Sequence, residues 1–131
     1  MRRRTPIAAS VLAGAALLVA GCGGQKEYTL EKTRPCLEGT PGIEVRSKVD
    51  FVASTALGGA VNVRFPRTKN QVTISFGLDR DEAGRIVKAY QRFRGKNIGL
   101  ADVLRPDRNA VLLWAIHPSD GDIKAVGDCL R

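Results

Sequence analysis

The sequence is poor in the residues from which metal and redox sites are built. It holds one histidine, His117, and three cysteines, none of which forms a Cys-x-x-Cys pair. A single histidine cannot hold zinc without further ligands, and isolated cysteines lack the usual redox spacing. The Gly-x-Ser-x-Gly motif, internal repeats and low-complexity tracts are absent as well. The sequence therefore predicts no cofactor, no metal and no catalytic constellation.

A long apolar run is also missing. The longest one, residues 7–20, has 14 residues and is interrupted only by Ser10. A membrane span needs about 20 apolar residues, whereas a shorter run fits the hydrophobic region of a signal peptide. Arg2, Arg3 and Arg4 precede the run, and small residues lead from it into Cys22.

This order of arginines, apolar run and Val19-Ala20-Gly21-Cys22 resembles the signal peptide and lipobox of bacterial lipoproteins. The resemblance covers residues 1–22. It implies that residues 1–21 are removed and that Cys22, diacylated on its sulfur, becomes the first mature residue. The chain is then expected on the extracytoplasmic side of the cell membrane, held there by the lipid on Cys22.

Residues 22–131 have the size of one domain. We expect a flexible tether over residues 22–27 and a single domain over residues 28–131, which is too small for a two-lobed solute receptor. The mature part carries 18 basic and 13 acidic residues, a net charge of +5. This excess would attract anionic lipid or acidic envelope polymers, or serve solubility alone. Nucleic acid is a poor partner, because the signal sends the chain out of the cytoplasm.

Cysteine usage predicts one disulfide. With Cys22 lipidated, Cys36 and Cys129 remain in an exported domain, and their pairing is the simplest outcome. The bond would tie the first part of the domain to its last residues.

The periodicity predicts a mixed fold. Residues 61–65 and 72–76 alternate apolar and polar side chains around a short turn, which is typical of a β-hairpin. A helix follows, with Asp79 and Glu82 at capping-box spacing. Its apolar stripe contains Ala83, Ile86, Val87, Tyr90 and Phe93. Residues 110–116 form a continuous apolar run that predicts a central strand, and Trp114 within it is expected in the core.

The remaining segments are shorter. We expect a strand over residues 28–30, a short helix within residues 31–38, a loop over residues 96–109, and a C-terminal helix capped by Ser119. Residues 43–57 are compatible with strand or helix. The predicted fold is an α+β two-layer sandwich, mainly antiparallel sheet with helices on one face and one disulfide.

Two motifs suggest a chemical function, but a structural role explains each of them as well. The acids of residues 79–84 resemble the start of a calcium loop, but the ligands at positions 5 and 12 are missing, and helix capping explains the same acids. Asp120 and Asp122 are interpreted in the same way. His117 follows the central strand and could act as a general base. However, its neighbour Ser119 already has a role as a cap.

Basic residues give the best candidate binding site. Arg85, Lys88 and Arg92 share one face of the predicted helix, and Arg94 and Lys96 extend it. A solvated helix face would look the same. The hairpin adds a second cluster, Arg64, Arg67 and Lys69. Its second face carries Asn62, Arg64, Thr73 and Ser75, a polar surface where a ligand could dock if no other layer covers it.

These observations favour a non-catalytic binding or accessory module of the cell envelope, with an envelope protein as its partner. The alternative is a domain that binds anionic lipid or a cell-wall polymer through its basic surface. A small hydrolase that uses His117 is a second alternative.

Overall fold

The computed structural model describes residues 26–94 and 99–131, which form an antiparallel sheet with helices packed on it. The strands are β1 (Glu44–Arg46), β2 (Ala60–Phe65), β3 (Asn70–Phe76), β4 (Leu104–Asp107) and β5 (Ala110–Trp114). The helices are α1 (Leu30–Glu38), α2 (Phe51–Ser54), α3 (Arg80–Arg94), α4 (Leu100–Val103) and α5 (Asp120–Gly127). The strand order is β1-β2-β3-β5-β4, with every neighbouring pair antiparallel. The predicted α+β class is therefore confirmed.

The hairpin of β2 and β3 is the centre of the sheet, as the alternation predicts. Val61 lies opposite Ile74 and Val63 lies opposite Val72. Because side chains alternate between the two faces of a strand, the large apolar side chains of the hairpin all fall on one face. They are at most 4% exposed.

That apolar face is covered by α1 and α5. Leu37 from α1 and Val126 from α5 are fully buried against it, and Trp114 lies beneath them at 1% exposure. The Cys36–Cys129 disulfide joins α1 to the residues that follow α5, with 5.3 Å between the Cα atoms. Both the disulfide and the core position of Trp114 are thus confirmed.

The opposite face of the sheet is covered in part by α3, which corrects the expectation that helices occupy one face. Ala83, Ile86 and Tyr90 pack with Val111 and Leu113 of β5 into a second apolar cluster. The physical reason is visible in β5 itself, because every one of its residues is buried. A strand that is apolar on both sides needs a layer on each side.

Phe93 departs from the predicted buried stripe of α3. Its side chain is 66% exposed, and its ring meets the equally exposed ring of Phe51 edge to face, with 5.8 Å between the centroids. The helical period alone places Phe93 beside Tyr90, but the cluster under α3 includes Tyr90 and leaves Phe93 out.

The N-terminal segment differs from the predicted strand over residues 28–30. The helix α1 begins at Leu30, and Thr29 caps it by accepting a hydrogen bond from the Lys32 N–H at 3.3 Å. Proline is predicted only in the first turn of a helix. The structure instead places Pro35 inside α1, past the first turn. Tyr28 is held through its backbone by Asn109.

Two further segments gain structure. In the ambiguous residues 43–57, the structure places β1 and then α2, whose first turn is capped by Asp50. Residues 99–109 contain α4 and the edge strand β4, where the sequence predicts a loop. Pro106 sits in β4, and an edge strand tolerates proline because its missing N–H need not join the ladder.

Candidate functional site

The predicted basic face of α3 is divided by the structure. Arg85, Lys88 and Arg92 are exposed on the outer side of the helix, away from Ile86 and Tyr90. None of the three pairs with an acid in residues 26–94 or 99–131. Lys96 lies outside the described residues. Arg94 is turned away from this row and lines a groove on the sheet.

This groove, called the basic groove below, is the main candidate site. It measures about 760 Å³ and lies over β2 and β3, on the same face of the sheet as α3. Its floor is formed by Asn62, Gln71 and Thr73. One wall is the segment 46–50, and Arg94 stands at the other side.

The floor is polar because it is the second face of the hairpin. Asn62 lies opposite Thr73, and the amide of Asn62 donates to the Thr73 hydroxyl at 3.2 Å. The tertiary fold covers this face at Ser75, which is fully buried, and leaves it open toward Gln71, which is exposed. The polar face predicted from the alternation is therefore open over part of the hairpin.

Cations reach the groove from well-separated parts of the sequence. Arg46 and Lys48 come from β1 and the segment after it, and Arg94 comes from the end of α3. A second depression of about 520 Å³ shares Arg46, Gln71 and Ala115 with the first one and adds Arg64 and Lys69. We treat both as one basic groove. Among the hairpin cations, Arg67 is separate and lines a different depression beside Thr68 and Asp122.

Acidic residues neutralise this charge only in part. Glu44 lies 3.4 Å from a guanidinium nitrogen of Arg46 and 3.8 Å from one of Arg64, so two arginines share one carboxylate. Asp50 is the acid among the described residues that line the larger depression, and its carboxylate is engaged elsewhere. Lys48, Lys69 and Arg94 pair with no acid in the described residues.

Asp50 is fixed by α3 and by the start of α2. Its carboxylate accepts hydrogen bonds from the Tyr90 hydroxyl, at 2.8 and 3.1 Å, and from the Ala53 N–H at 2.9 Å. Burial of the Tyr90 ring, followed by the bond to Asp50, raises the pKa of the Tyr90 phenol far above its ordinary value. The phenol therefore stays protonated and holds the segment 46–50 in place.

A histidine–aspartate pair lies apart from the groove, and the sequence pattern does not predict it. The Nδ1 atom of His117 is 2.8 and 2.9 Å from the two carboxylate oxygens of Asp102. Chiefly this bond, with a smaller effect of Arg105, lowers the pKa of Asp102. Among the described residues, no serine, threonine or cysteine side chain is hydrogen-bonded to His117, and the Ser119 hydroxyl accepts from the Asp122 N–H at 3.1 Å.

Asp79 caps the start of α3, whereas α5 is capped by Ser119 and the Asp122 carboxylate accepts from the Thr68 hydroxyl at 2.6 Å. The carboxylate of Asp79 accepts from the Glu82 N–H at 2.8 Å, and Glu82 in turn accepts from the N–H groups of Leu57 and Leu78. This confirms the capping interpretation of residues 79–84. In residues 26–94 and 99–131, no group of three or more His, Cys, Asp or Glu side chains is placed to hold a metal ion. The helices in the same residues include none long and apolar enough to span a membrane.

No protein-family model, no curated protein and no solved structure matches this chain.

Proposed function

We propose that this chain is a lipid-anchored, extracytoplasmic binding domain of the cell envelope, and that the basic groove holds an anionic group of its partner. One observation carries the proposal: five cations from four separate segments converge on a polar floor. Of the two acids beside them, one is shared by two arginines and the other is already hydrogen-bonded within the domain. These cations are Arg46, Lys48, Arg64, Lys69 and Arg94. Charged residues that serve only solubility need not converge from separate segments on one groove.

The chemistry of the groove suits carboxylates and phosphates. Arginine presents a planar fork of donors that matches both groups, and hydrogen bonds to charged acceptors are the stronger ones. The floor adds neutral donors from Gln71 and Thr73, which can orient the bound group, and the Asn62 amide positions the Thr73 hydroxyl. Most of these residues lie on or beside strands whose pairing fixes their positions, so little ordering is needed on binding.

The membrane anchor rests on the lipoprotein resemblance of residues 1–22. Residues 22–27 are six residues long and reach at most about 20 Å, so the domain would stay close to the bilayer. Its partner would be an envelope protein or polymer within that distance plus the height of the domain.

A binding experiment with charge-matched variants tests the proposal. The lipidated mature protein, purified in a non-ionic detergent, is titrated with fluorescein-labelled hexaglutamate and with labelled polyphosphate, and fluorescence anisotropy is followed. We expect saturable binding of at least one probe that weakens as salt is raised. The variant Arg46→Gln/Arg94→Gln should weaken it about tenfold or more, because two charge-assisted contacts are lost.

The matched control is Arg85→Gln/Arg92→Gln, which removes the same charge from the outer side of α3. This variant should bind as the native protein does. If it loses as much affinity as the groove variant, the general charge of the domain is responsible and the groove is not the site.

A second candidate function has its own observation. Arg85, Lys88 and Arg92 are exposed and unpaired among the described residues, so α3 could lie on anionic lipid or a wall polymer. In that case vesicles containing phosphatidylglycerol would bind the native protein, and Arg85→Gln/Arg92→Gln would abolish this binding while the groove variant would not.

A further inference from the structure

Two exposed phenylalanines stand beside the basic groove. Phe51 is 71% exposed and Phe93 is 66% exposed, although their rings contact each other edge to face as rings in a core do. Together with Val52 and Tyr90 they line a shallow apolar cavity of about 190 Å³. We call Phe51 and Phe93 the aromatic pair.

The aromatic pair and the basic groove form one continuous surface. Asp50 and Arg94 line both the apolar cavity and the groove. An anion bound at Arg94 would therefore have an apolar neighbour within one or two side-chain lengths. A ligand that is only charged would leave this part of the surface unused.

From this arrangement, which rests on the proposed function, we infer that the partner is an acidic protein segment. Its carboxylates would occupy the basic groove, and an aromatic or large aliphatic side chain next to them would pack on the aromatic pair. Exposed phenylalanines next to arginine are typical of the centres of protein–protein interfaces, where a few such residues supply most of the affinity. The surplus of cations selects a partner of opposite charge.

The position of the N-terminal segment argues against the bilayer as the occupant. The backbone N–H of Tyr28 donates to the Asn109 side chain at 2.7 Å, at the end of the sheet where Phe76 pairs with Ala110. The groove opens toward the other end, at Gln71 and Ala115. Five residues of β3 separate these ends, about 17 Å at the rise of an extended strand. The tether thus joins the domain at the end of the sheet opposite the groove opening, and nearly its full reach would be needed to bring the groove to the bilayer.

Two peptides separate the inference from the function on which it rests. Labelled hexaglutamate tests the groove alone, and the same peptide with one central tryptophan tests the groove and the aromatic pair together. We expect the tryptophan peptide to bind the lipidated mature protein about tenfold more tightly than hexaglutamate does, as the packing of one large aromatic side chain predicts. In Phe51→Ser/Phe93→Ser this gain should vanish while hexaglutamate binding is unchanged.

The control variant is Leu57→Ser/Leu78→Ser, which removes two leucines that are 71% and 62% exposed. It should keep the gain. Because all four side chains are exposed, the variants are expected to fold. If the double phenylalanine variant does not fold, Phe51→Ser and Phe93→Ser are tested singly, and each should lose part of the gain.

Each remaining outcome is decisive. Equal affinity for the two peptides overturns the acidic-aromatic partner and leaves the groove proposal standing. A loss of hexaglutamate binding in the phenylalanine variant shows that these rings shape the groove, which also overturns the inference. If neither peptide binds but labelled polyphosphate does, the inference fails and the groove proposal stands. If neither the peptides nor polyphosphate bind, the proposed function fails as well. If phosphatidylglycerol vesicles bind through Phe51 and Phe93 and the peptides do not, the occupant is a lipid surface.

Discussion

The hydroxyl of Tyr90 donates to the carboxylate of Asp50 across 40 positions of sequence, with its oxygen 2.8 and 3.1 Å from the two carboxylate oxygens. Tyr90 is 2% exposed in the middle of the α3 packing, whereas Asp50 belongs to the segment that walls the basic groove. The hydrogen bond therefore connects the second apolar cluster, under α3, to the candidate binding site. Asp50 also caps α2, so a single carboxylate positions both a helix and a groove wall.

Replacement of Tyr90 by phenylalanine should weaken both the fold and the groove. The change keeps the ring in the core but removes the donor, and the net loss for a hydrogen bond to a charged group is about 1.5–3 kcal/mol. Urea unfolding measures this loss. Tyr28→Phe is the control, because its hydroxyl makes only a long, exposed contact of 3.5 Å to Asp107. An equal loss in the two variants would show that the Tyr90 bond has no special role.

Stability should also fall at alkaline pH through Tyr90. Its pKa is raised in the folded protein, mainly by burial. The folded state thus keeps the phenolic proton at pH values where the unfolded state, with a tyrosine pKa of about 10, has released it. The contribution is fully present below pH 10 and is lost as pH rises beyond that value. The free energy of unfolding, measured from pH 8 to 11, should decline more steeply in the native protein than in Tyr90→Phe.

Local patterns allowed the elements of the fold to be predicted. The hairpin, the cap at Asp79 and the cap at Ser119 each depend on residues within a few positions of one another, so the sequence displays them directly. The disulfide needed only the cysteine count and the export signal. Strand β4 was missed because it has four residues with Pro106 among them, and only its pairing with β5 gives it structure.

The site was harder to predict, since its parts come from distant segments. Arg46, Arg64 and Arg94 meet because β1 pairs with β2 and because α3 crosses the sheet beside them. The sequence instead grouped Arg94 with Arg85 and Arg92 by helical spacing, which describes one helix and not the surface on which it packs. How much of the hairpin's polar face α3 covers depends on where and at what angle the helix packs on the sheet. Local residue patterns do not determine that packing.

Loss of the Cys36–Cys129 disulfide should destabilise the domain strongly. The bond closes a loop of 93 positions, and the chain-entropy account assigns about 4–5 kcal/mol to such a closure as an upper figure. The double variant Cys36→Ser/Cys129→Ser should therefore unfold at much lower urea concentration than the native protein. Reduction of the native protein with dithiothreitol should shift the transition to the same extent. An unchanged midpoint after reduction would mean that the bond contributes little to stability.

His117 should control the titration of Asp102. The hydrogen bond from His117 is the largest cause that lowers the pKa of Asp102 below its ordinary value, and Arg105 adds a smaller effect. In His117→Ala, carboxyl NMR signals should place the Asp102 pKa closer to 3.8, and in Arg105→Ala the rise should be smaller. Any stabilisation from this depressed pKa is present above the ordinary value and disappears as pH falls through the folded one. A larger rise in Arg105→Ala would reverse the assigned order of causes.

Asn109 should be the residue whose loss frees the N-terminal segment. Its fully buried side chain accepts from the Tyr28 N–H at 2.7 Å and donates to the carbonyls of Tyr28 and Gly77 at 2.8 and 2.7 Å. Asn109→Ala leaves these groups without partners, at a cost of about 1–3 kcal/mol for each one that stays buried. Urea unfolding should show the loss, and hydrogen exchange should show a faster Tyr28 amide. Asn109→Asp keeps the acceptor but removes both donated bonds and buries a charge, so its stability should also fall while the Tyr28 amide stays protected. If Asn109→Ala left that amide protected as well, the segment would have to be held by other contacts, such as the Thr29 N–H bond to the Arg131 carbonyl.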